Sequence, residues 1–254
     1  MCLILLAWAP DADPWLTVAA NRDEFHDRET RALRWWSWPS GPLAGRDGAS
    51  GGTWMAASRD GRFAAVTNFR DPQADAGPRT RGELPVEALR ARNLEAWLHD
   101  VRARRREYAP FNLLVADRET LWNVGTHAEP SRVAAGVHAL SNHLLDTPWP
   151  KSTRAARRFR DWLSGGAGDL EDGLDLLDDR EHADEDELPD TGIGREAERR
   201  LSPPFIVTPN YGTRSSTVLQ IGTRADMVER SFDAGGRCTG QREFGWKPET
   251  GADE

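Results

Sequence analysis

The first 25 residues constrain the fold of this chain more than any other segment. Residues 2–9 form the apolar run Cys2-Leu3-Ile4-Leu5-Leu6-Ala7-Trp8-Ala9, which is apolar at odd and even positions, as in a strand covered on both faces. A second strand is predicted at 15–20, after a turn rich in proline and aspartate at 10–14. A hairpin centred near residue 12 places each position i opposite position 24 − i. Cys2 is therefore expected opposite residue 22, within a residue or two of the polar segment 21–24.

Cys2 carries the most reactive side chain of this hairpin. Methionine is normally removed before a residue as small as cysteine, and removal of Met1 would give Cys2 both a thiol and a free α-amine. The thiol has an ordinary pKa of about 8.5 and the amine one of about 7.7–8.0, so the amine can accept the thiol proton near neutral pH. A cysteine at position 2 more often has no function, so catalysis is predicted only together with its neighbours.

The composition excludes several classes of protein. The 254 residues suffice for one large domain, which is expected over residues 1–254. Stable membrane insertion is not expected, because the sequence contains no run of 18 apolar residues. Two cysteines, Cys2 and Cys238, can form neither a disulfide framework nor a structural zinc site, so we expect no metal and a cytoplasmic location. No basic stripe with interleaved aromatic residues is present, so nucleic acid is not an expected partner.

The net charge of −8 is unevenly distributed. Residues 169–190 contain 12 acidic residues and one arginine, a local charge of −11, which leaves +3 for the rest of the chain. The simplest interpretation is a solvated acidic insertion at about 167–191, half helical and half disordered. A loose C-terminal tail is expected from about residue 235.

Further apolar segments predict the rest of the fold. Strands are predicted at 53–58, 62–68, 111–116, 120–125, 137–141, 205–208, 213–222 and 227–232, and helices at 84–106 and 151–163. A turn at 59–61 places Asn68 opposite Gly52, where paired glycines permit close approach of a ligand or another backbone. This order of elements predicts an α+β fold in which helices cover antiparallel sheets.

Polar residues recur where the predicted strands end, at 21–24, 67–68, 141–143 and 211–217. Such rims often carry the chemistry of a rigid scaffold. Each asparagine alone is better explained as a turn residue, and Arg22 with Asp23 alone as a surface ion pair of little energetic value.

Together, these segments resemble the NRDE family, also called the transport and Golgi organisation protein 2 family. The segment Leu16-Thr17-Val18-Ala19-Ala20-Asn21-Arg22-Asp23-Glu24-Phe25 is similar to the signature of that family. Further matches extend in order to about residue 232: Met1-Cys2, Gly51-Gly52-Thr53-Trp54, Ala64-Ala65-Val66-Thr67-Asn68, Arg81-Gly82-Glu83-Leu84, Phe111-Asn112-Leu113, Leu140-Ser141-Asn142, Leu145-Asp146-Thr147-Pro148-Trp149-Pro150-Lys151, Tyr211-Gly212-Thr213-Arg214-Ser215 and Glu229-Arg230-Ser231-Phe232.

The resemblance implies a four-layer αββα sandwich of the N-terminal-nucleophile (Ntn) hydrolase kind, with two antiparallel sheets flanked by helices. Related cysteine enzymes, such as bile salt hydrolases and penicillin V acylases, cleave amides. By position and order, the residues similar to their catalytic set are Cys2, Arg22, Asp23, Asn68, Asn142 and Arg214. Here Arg22 and Asp23 are adjacent, a local spacing that departs from those enzymes. We also expect ligand contacts from Asn21, Glu24, Arg46, Gly52, Trp54 and Ser215.

Two functions follow from the resemblance and stay open at this point. In the first, Cys2 attacks an amide or thioester, Arg22 favours the thiolate, Asp23 orients the amine, and Asn68 or Asn142 donates to the oxyanion. In the second, no cofactor is required and the same pocket only carries haem or acyl-coenzyme A. The arginines would then meet anionic groups, and the run Trp35-Trp36-Ser37-Trp38 would form a lid or wall. A packed surface loop is the simpler interpretation of that run. A scaffold that has lost its ligand is a weaker third alternative.

Overall fold

The N-terminal hairpin forms with the register that the sequence predicts. In the computed structural model, which describes residues 2–37, 41–166 and 169–249, strand β1 (Cys2–Trp8) pairs antiparallel with β2 (Leu16–Phe25). Cys2 lies opposite Arg22, and Trp8 lies opposite Leu16. The second strand extends to Phe25, five residues further than predicted. The polar segment 21–24 therefore lies within a strand, and its side chains alternate between the two faces of the sheet.

Eleven further strands and five α-helices are formed by the described residues. The strands are β3 (Thr30–Trp35), β4 (Leu43–Asp47), β5 (Met55–Ala57), β6 (Phe63–Asn68), β7 (Phe111–Ala116), β8 (Leu121–Gly125), β9 (Ala128–Arg132), β10 (Gly136–Leu140), β11 (Tyr211–Ile221), β12 (Ala225–Phe232) and β13 (Cys238–Trp246). The helices are α1 (Leu84–Ala88), α2 (Leu94–Ala103), α3 (Pro150–Ser164), α4 (Leu170–Asp175) and α5 (Arg195–Arg200).

The strands form two antiparallel sheets. The first sheet has the order β10-β1-β2-β11-β12-β13, and the second runs β3 to β9 in chain order. Leu6 and Val18 of the first sheet pack with Leu33 and Phe63 of the second in one apolar cluster. Since opposite faces of each sheet are both apolar, two more layers are needed to cover them.

Helices supply these outer layers. On the first sheet, Leu3 and Leu5 pack against Phe159 of α3 and Leu174 of α4. On the second, residues of β6 to β8 pack against Leu84, Ala88, Leu98 and Val101 of α1 and α2. The predicted αββα sandwich of two antiparallel sheets flanked by helices is thereby confirmed. No helix among the described residues has both the length and the apolar character that a membrane crossing needs.

Several local predictions are wrong. The helix expected at 84–106 is broken into α1 and α2, because Asn93 begins the second helix by accepting a hydrogen bond from the Ala96 N–H. The strand expected at 205–208 is reduced to one isolated bridge, between Val207 and Gly212. Strands β3, β4 and β9 were not predicted. β3 and β9 are edge strands in which Leu33 is the one buried side chain, and β4 is a five-residue strand that ends in Gly45-Arg46-Asp47 and shows no apolar alternation.

Residues 167 and 168 lie outside the described part of the chain. The helix expected in the insertion forms as α4, and Leu174 and Leu177 are buried in the outer cluster, whereas residues 178–191 form no helix or strand. In the predicted tail, Cys238–Trp246 forms β13, which pairs with β12 and contributes Phe244 and Trp246 to the edge of the central core. Residues 250–254 of that tail are not among those described. Leucines and aromatic residues at the correct spacing outweigh the polar composition of both segments.

Candidate active site

Cys2 lines a small polar cleft at one edge of the two sheets. The cleft encloses about 90 Å³ and is lined by Cys2, Arg22, Asp23, Glu24, Arg28, Asp47, Ser50, Thr53, Trp54, Val66, Asn68, Thr80, Arg81 and Gly82. The lining contains three arginines and three carboxylates, so it is polar without a net charge from these groups. The predicted meeting of the chain's first residues with the segment around residue 22 is therefore confirmed, and the two segments share one cleft.

The half-buried Cys2 thiol is held by its neighbours on β2. The Asp23 backbone N–H donates a hydrogen bond to the Cys2 sulfur, and Arg22 lies directly opposite Cys2. Burial raises the pKa of the Cys2 thiol above its ordinary value, as does the Asp23 carboxylate, while Arg22 acts in the opposite direction. A proton acceptor is therefore needed to generate the thiolate near neutral pH.

Arg22 is fixed by charge and by an aromatic ring. Its guanidinium donates to Asp47 at 3.2 Å and to the Thr30 hydroxyl at 3.0 Å, and it lies 4.3 Å from the ring centroid of Trp54. Asp47 also accepts from Arg28 at 2.6 Å. Burial acts to raise the pKa of Asp47, but Arg28, the Ser50 N–H and Arg22 outweigh it and keep that pKa below its usual value. A stack on an aromatic ring with a charge-assisted hydrogen bond leaves Arg22 little freedom.

Asp23 occupies the other side of β2 from Arg22. Its Oδ1 accepts from the Thr213 hydroxyl at 2.7 Å, and Thr213 is its partner on β11. Burial raises the pKa of Asp23, whereas Lys151, Thr213 and Arg22 counteract the rise. Asp23 is thus a buried carboxylate whose ionisation depends on nearby cations.

Asn68 and Asn142 are not equivalent, although the sequence offered both as oxyanion donors. Asn68 ends β6 and lines the cleft, and within the described part of the chain its side-chain amide has no hydrogen-bond partner. Asn142 has no exposed surface and does not line the cleft; its Nδ2 donates to the Asn68 carbonyl at 2.9 Å, and its Oδ1 accepts from Ser141. Asn142 therefore supports Asn68 rather than facing a ligand.

Arg214 is likewise outside the cleft. Its guanidinium donates to the carbonyls of Phe25, His26 and Arg28 and so fixes the turn that follows β2. Arg81 supplies a cleft arginine instead: burial lowers its pKa, and Cys2 and Glu24 partly offset this effect. The Arg81-Gly82-Glu83-Leu84 match could have indicated it, but nothing in the spacing places it beside Cys2.

The predicted ligand-contacting residues divide in the same way. Glu24 and Trp54 line the cleft. Asn21 instead donates to the carbonyls of Leu177 and Pro204, at 3.0 and 2.9 Å, and accepts from Ser216. The other three residues also lie outside the lining, since Arg46 donates to the Gly51 carbonyl, Gly52 packs against the backbone of Gly82, and Ser215 is buried. Alternation alone does not explain the loss of Asn21, because Asp23 shares its face of β2 and still lines the cleft. The Asn21 side chain is instead taken up by these three hydrogen bonds.

Trp35 and Trp36 of the tryptophan run do not line this cleft. Trp35 packs edge-on against Trp246 at 5.5 Å, and Trp36 lies 4.9 Å from the guanidinium of Arg46. Trp38 falls outside the described residues. The interpretation as a packed surface segment is therefore correct for Trp35 and Trp36.

Comparison with known proteins agrees with the resemblance read from the sequence. The profile of the Transport and Golgi organisation 2 family matches residues 1–234, so this chain belongs to that family. The Transport and Golgi organization protein 2 homologs of Bos taurus and Homo sapiens are 35% and 32% identical to it over 239 residues, which is 85% of this chain and 86% of each relative.

Two solved structures are also similar. A mutant conjugated bile acid hydrolase from Clostridium perfringens has a TM-score of 0.49 at 10% identity, covering 100% of this chain and 99% of that chain. The Caenorhabditis elegans ortholog of N-acylethanolamine-hydrolyzing acid amidase has a TM-score of 0.44 at 10% identity, covering 86% and 92%. Both scores are below 0.5, so the αββα architecture rests on the layers described above.

Proposed function

We propose that this protein is an N-terminal-cysteine hydrolase that cleaves amide or thioester bonds of acyl or other lipid-like metabolites. The observation that carries the proposal is the placement of the Cys2 sulfur: it accepts from the Asp23 N–H, lies opposite Arg22 and opens into a polar cleft. A structural cysteine has no need of such surroundings, because buried thiols that serve packing lie among apolar side chains.

The reaction requires that Met1 be removed. The α-amine of Cys2 then accepts the thiol proton, and the sulfur attacks the substrate carbonyl to form a tetrahedral intermediate. Collapse of that intermediate breaks the amide or thioester bond, and the leaving amine or thiolate takes the proton back from the α-amine. Attack of water on the acyl-Cys2 releases the carboxylic acid and restores the thiol.

Asn68 is the group best placed to stabilise the oxyanion. Its amide lines the cleft without a hydrogen-bond partner among the described residues, so donation to a developing negative charge displaces no internal contact. Arg22 and Arg81 add positive charge on the same cleft. Together they favour the thiolate and the anionic intermediate over the neutral ground state.

The size of the cleft limits how a substrate binds. About 90 Å³ holds several water molecules, whereas pockets that bury drug-sized ligands measure roughly 300–1,000 Å³. We infer that only the reacting carbonyl and its nearest atoms enter, while the acyl chain lies outside. Non-catalytic transport of haem or acyl-coenzyme A has weaker support, because the carboxylates of the lining offset its arginines and the space is too small for a macrocycle.

Intact-mass spectrometry tests the proposal. Cys238 is exposed, so the test uses Cys238→Ala, which leaves Cys2 as the single thiol. The mass of the purified protein first establishes that Met1 is absent. The protein is then incubated with butyryl- and palmitoyl-coenzyme A and with the p-nitroanilides of the same acids, and acyl adducts and released products are measured.

A transient acyl adduct with product release, both absent from Cys2→Ala/Cys238→Ala, is the expected result. The pair of leaving groups separates thioesterase from amidase activity, and the pair of chain lengths reports whether the acyl chain contributes to binding. Binding that survives Cys2→Ala without any turnover would replace the hydrolase with a carrier.

A further inference from the structure

The cleft contains three arginines, and one of them has no acidic partner. Arg22 and Arg28 both pair with Asp47, at 3.2 and 2.6 Å, and both lie near Glu24, at 3.8 and 3.7 Å. Arg81 lines the same cleft and is half-buried, but it forms no ion pair with any carboxylate among the residues that the structure describes. A partly desolvated cation without a counter-charge attracts an anionic ligand more strongly than an exposed cation does.

The Arg81 guanidinium is held at one nitrogen and can bind a ligand through the others. Its Nη1 donates to the Pro110 carbonyl at 3.0 Å. Within the described part of the chain, its other nitrogens make no hydrogen bond, and they are not sealed in the interior. The third carboxylate of the lining, Asp23, accepts from the Thr213 hydroxyl instead. The guanidinium therefore has a fixed position with donors to spare.

A contact between two glycines holds the segment of Arg81 at the cleft. A Cβ atom at Gly52 would lie 2.4 Å from the carbonyl carbon of Gly82, so only glycine permits this approach. The Thr53 N–H donates to the Gly82 carbonyl at 2.8 Å and fastens the two segments together. The two family motifs that contain these glycines are thereby joined, and Arg81 is in place before a ligand binds.

We propose that Arg81 is a specificity-determining residue of the Cys2 site and binds a carboxylate that the substrate carries close to its scissile carbonyl. The inference rests on the proposed function. A cleft of about 90 Å³ holds the reacting carbonyl and only its nearest atoms, so an anion that reaches Arg81 must lie within a few bonds of it. A carboxylate matches the planar fork of a guanidinium with two parallel hydrogen bonds.

The carboxylate can belong to either part of the substrate. On the leaving group, it is the carboxylate of an amino acid whose nitrogen forms the scissile amide. On the acyl group, it is the free end of a dicarboxylic acid whose other end forms the scissile amide or thioester. Both place the charge at a similar distance from the carbonyl that Cys2 attacks. The bonds that form and break at Cys2 are the same in both cases, since Arg81 only binds the anion.

Two alkylating reagents measure the preference for an anion beside Cys2 without any acyl substrate. Iodoacetate and iodoacetamide form the same bond to sulfur, but only iodoacetate carries a carboxylate. In the Cys238→Ala background, we expect the ratio of their rates to exceed that of free cysteine roughly tenfold or more, and Arg81→Met to abolish the excess. A change in the thiolate population affects both rates equally, so the ratio reports recognition of the anion alone.

Arg105→Met is the matched control. Arg105 is also half-buried, donates to one backbone carbonyl, that of Arg102 at 3.2 Å, and forms no ion pair among the described residues, but it lies outside the cleft. It should keep the ratio of the Cys238→Ala protein. Arg81→Lys keeps the charge without the fork and should lower the ratio severalfold. A ratio equal to that of free cysteine before any change at Arg81, or one that Arg81→Lys and Arg81→Met leave unchanged, would overturn the proposal.

Hydrolysis shows which part of the substrate carries the carboxylate. N-butyrylglycine is compared with N-butyrylglycinamide, and the mono-p-nitroanilide of succinic acid with the p-nitroanilide of butyric acid. We expect kcat/KM to be roughly tenfold higher or more for the anionic member of a pair, and Arg81→Met to remove this advantage. Equal values within both pairs would overturn the proposal. Hydrolysis of none of the four, with the alkylation preference intact, would instead refute the hydrolase and leave the anion site standing.

Discussion

Cys2 and Arg22 occupy directly opposite positions on β1 and β2, and Arg22 is held between Asp47 and the ring of Trp54. This pairing brings the first side chain of the described chain to a fixed cation. The cation cannot swing away, because the ion pair and the aromatic contact act on the same guanidinium. It is the relationship on which the proposed reactivity of Cys2 most directly depends.

Arg22→Ala should weaken ligand binding and lower stability. It removes a charge-assisted hydrogen bond to Asp47, which is worth about 1.5–3 kcal/mol in unfolding free energy. We expect the affinity for palmitoyl-coenzyme A to fall by roughly tenfold or more. Urea unfolding and equilibrium binding measure the two effects. The matched control is Arg31→Ala, at an exposed arginine paired with Glu29, which should change neither. Unchanged affinity in Arg22→Ala would remove Arg22 from the binding site.

Asn68→Ala should lower the rate of the proposed reaction, whereas Asn142→Ala should lower the stability of the protein. Asn68 lines the cleft, so its loss should reduce kcat by roughly 100- to 1,000-fold with little change in stability. Asn142 is fully buried and hydrogen-bonded, so its loss should cost about 1–3 kcal/mol of unfolding free energy. Steady-state kinetics and denaturant unfolding of both variants give the comparison. A large kcat effect confined to Asn142→Ala would assign the oxyanion role the other way round.

Asn21→Ala should destabilise the packing of the segment 178–203 and leave ligand binding unchanged. The Asn21 amide is the donor to the carbonyls of Leu177 and Pro204, which lie on either side of the segment 178–203. We expect faster amide hydrogen exchange in that segment and a loss of about 1–3 kcal/mol of unfolding free energy. Asn93→Ala removes the cap of α2 and serves as the matched control. It should destabilise the protein without changing exchange in 178–203, and protection there that survives Asn21→Ala would contradict the assigned role.

Glu229→Gln should remove one component of the pH dependence of stability. Burial raises the pKa of Glu229 to about 7 from 4.5, although the Leu33 N–H and Thr217 donate to its carboxyl. The folded state therefore binds this proton more tightly than the unfolded state. Wild-type stability should fall as pH rises from about 4.5 to about 7, by roughly 3 kcal/mol from this group, and the loss should be complete above pH 7.

Urea unfolding between pH 4.5 and 8 tests this prediction as the difference between wild type and variant. Glu229→Gln should lack the decline, so its stability relative to wild type should increase with pH. Glu243→Gln changes an exposed glutamate of β13 and should follow the wild-type curve. Parallel curves for Glu229→Gln and wild type would show that Glu229 ionises as readily in the folded state as in the unfolded one.

The sequence pattern correctly predicted some of the residues that line the cleft and wrongly predicted others. Periodicity and one turn fixed the register that places Cys2 opposite Arg22. The same reasoning grouped Asn21 with Arg22, although the alternation of a strand that continues to Phe25 places them on opposite faces. Asp47 and Arg28 reach Arg22 from elements that carry no distinctive pattern, so they were missed.

The sequence by itself determined the hairpin register and the presence of antiparallel sheets covered by helices, because strand periodicity and turns are local properties of the chain. Its ordered motifs determined the family, and the resemblance to that family implied the αββα order of layers. Only the tertiary structure decided which polar residues face Cys2. That choice depends on how the two sheets converge in space, where Asn68 and Arg81 approach from segments far apart in sequence. Side-chain direction and burial, which set hydrogen bonds and pKa values, exist only after those segments have packed together.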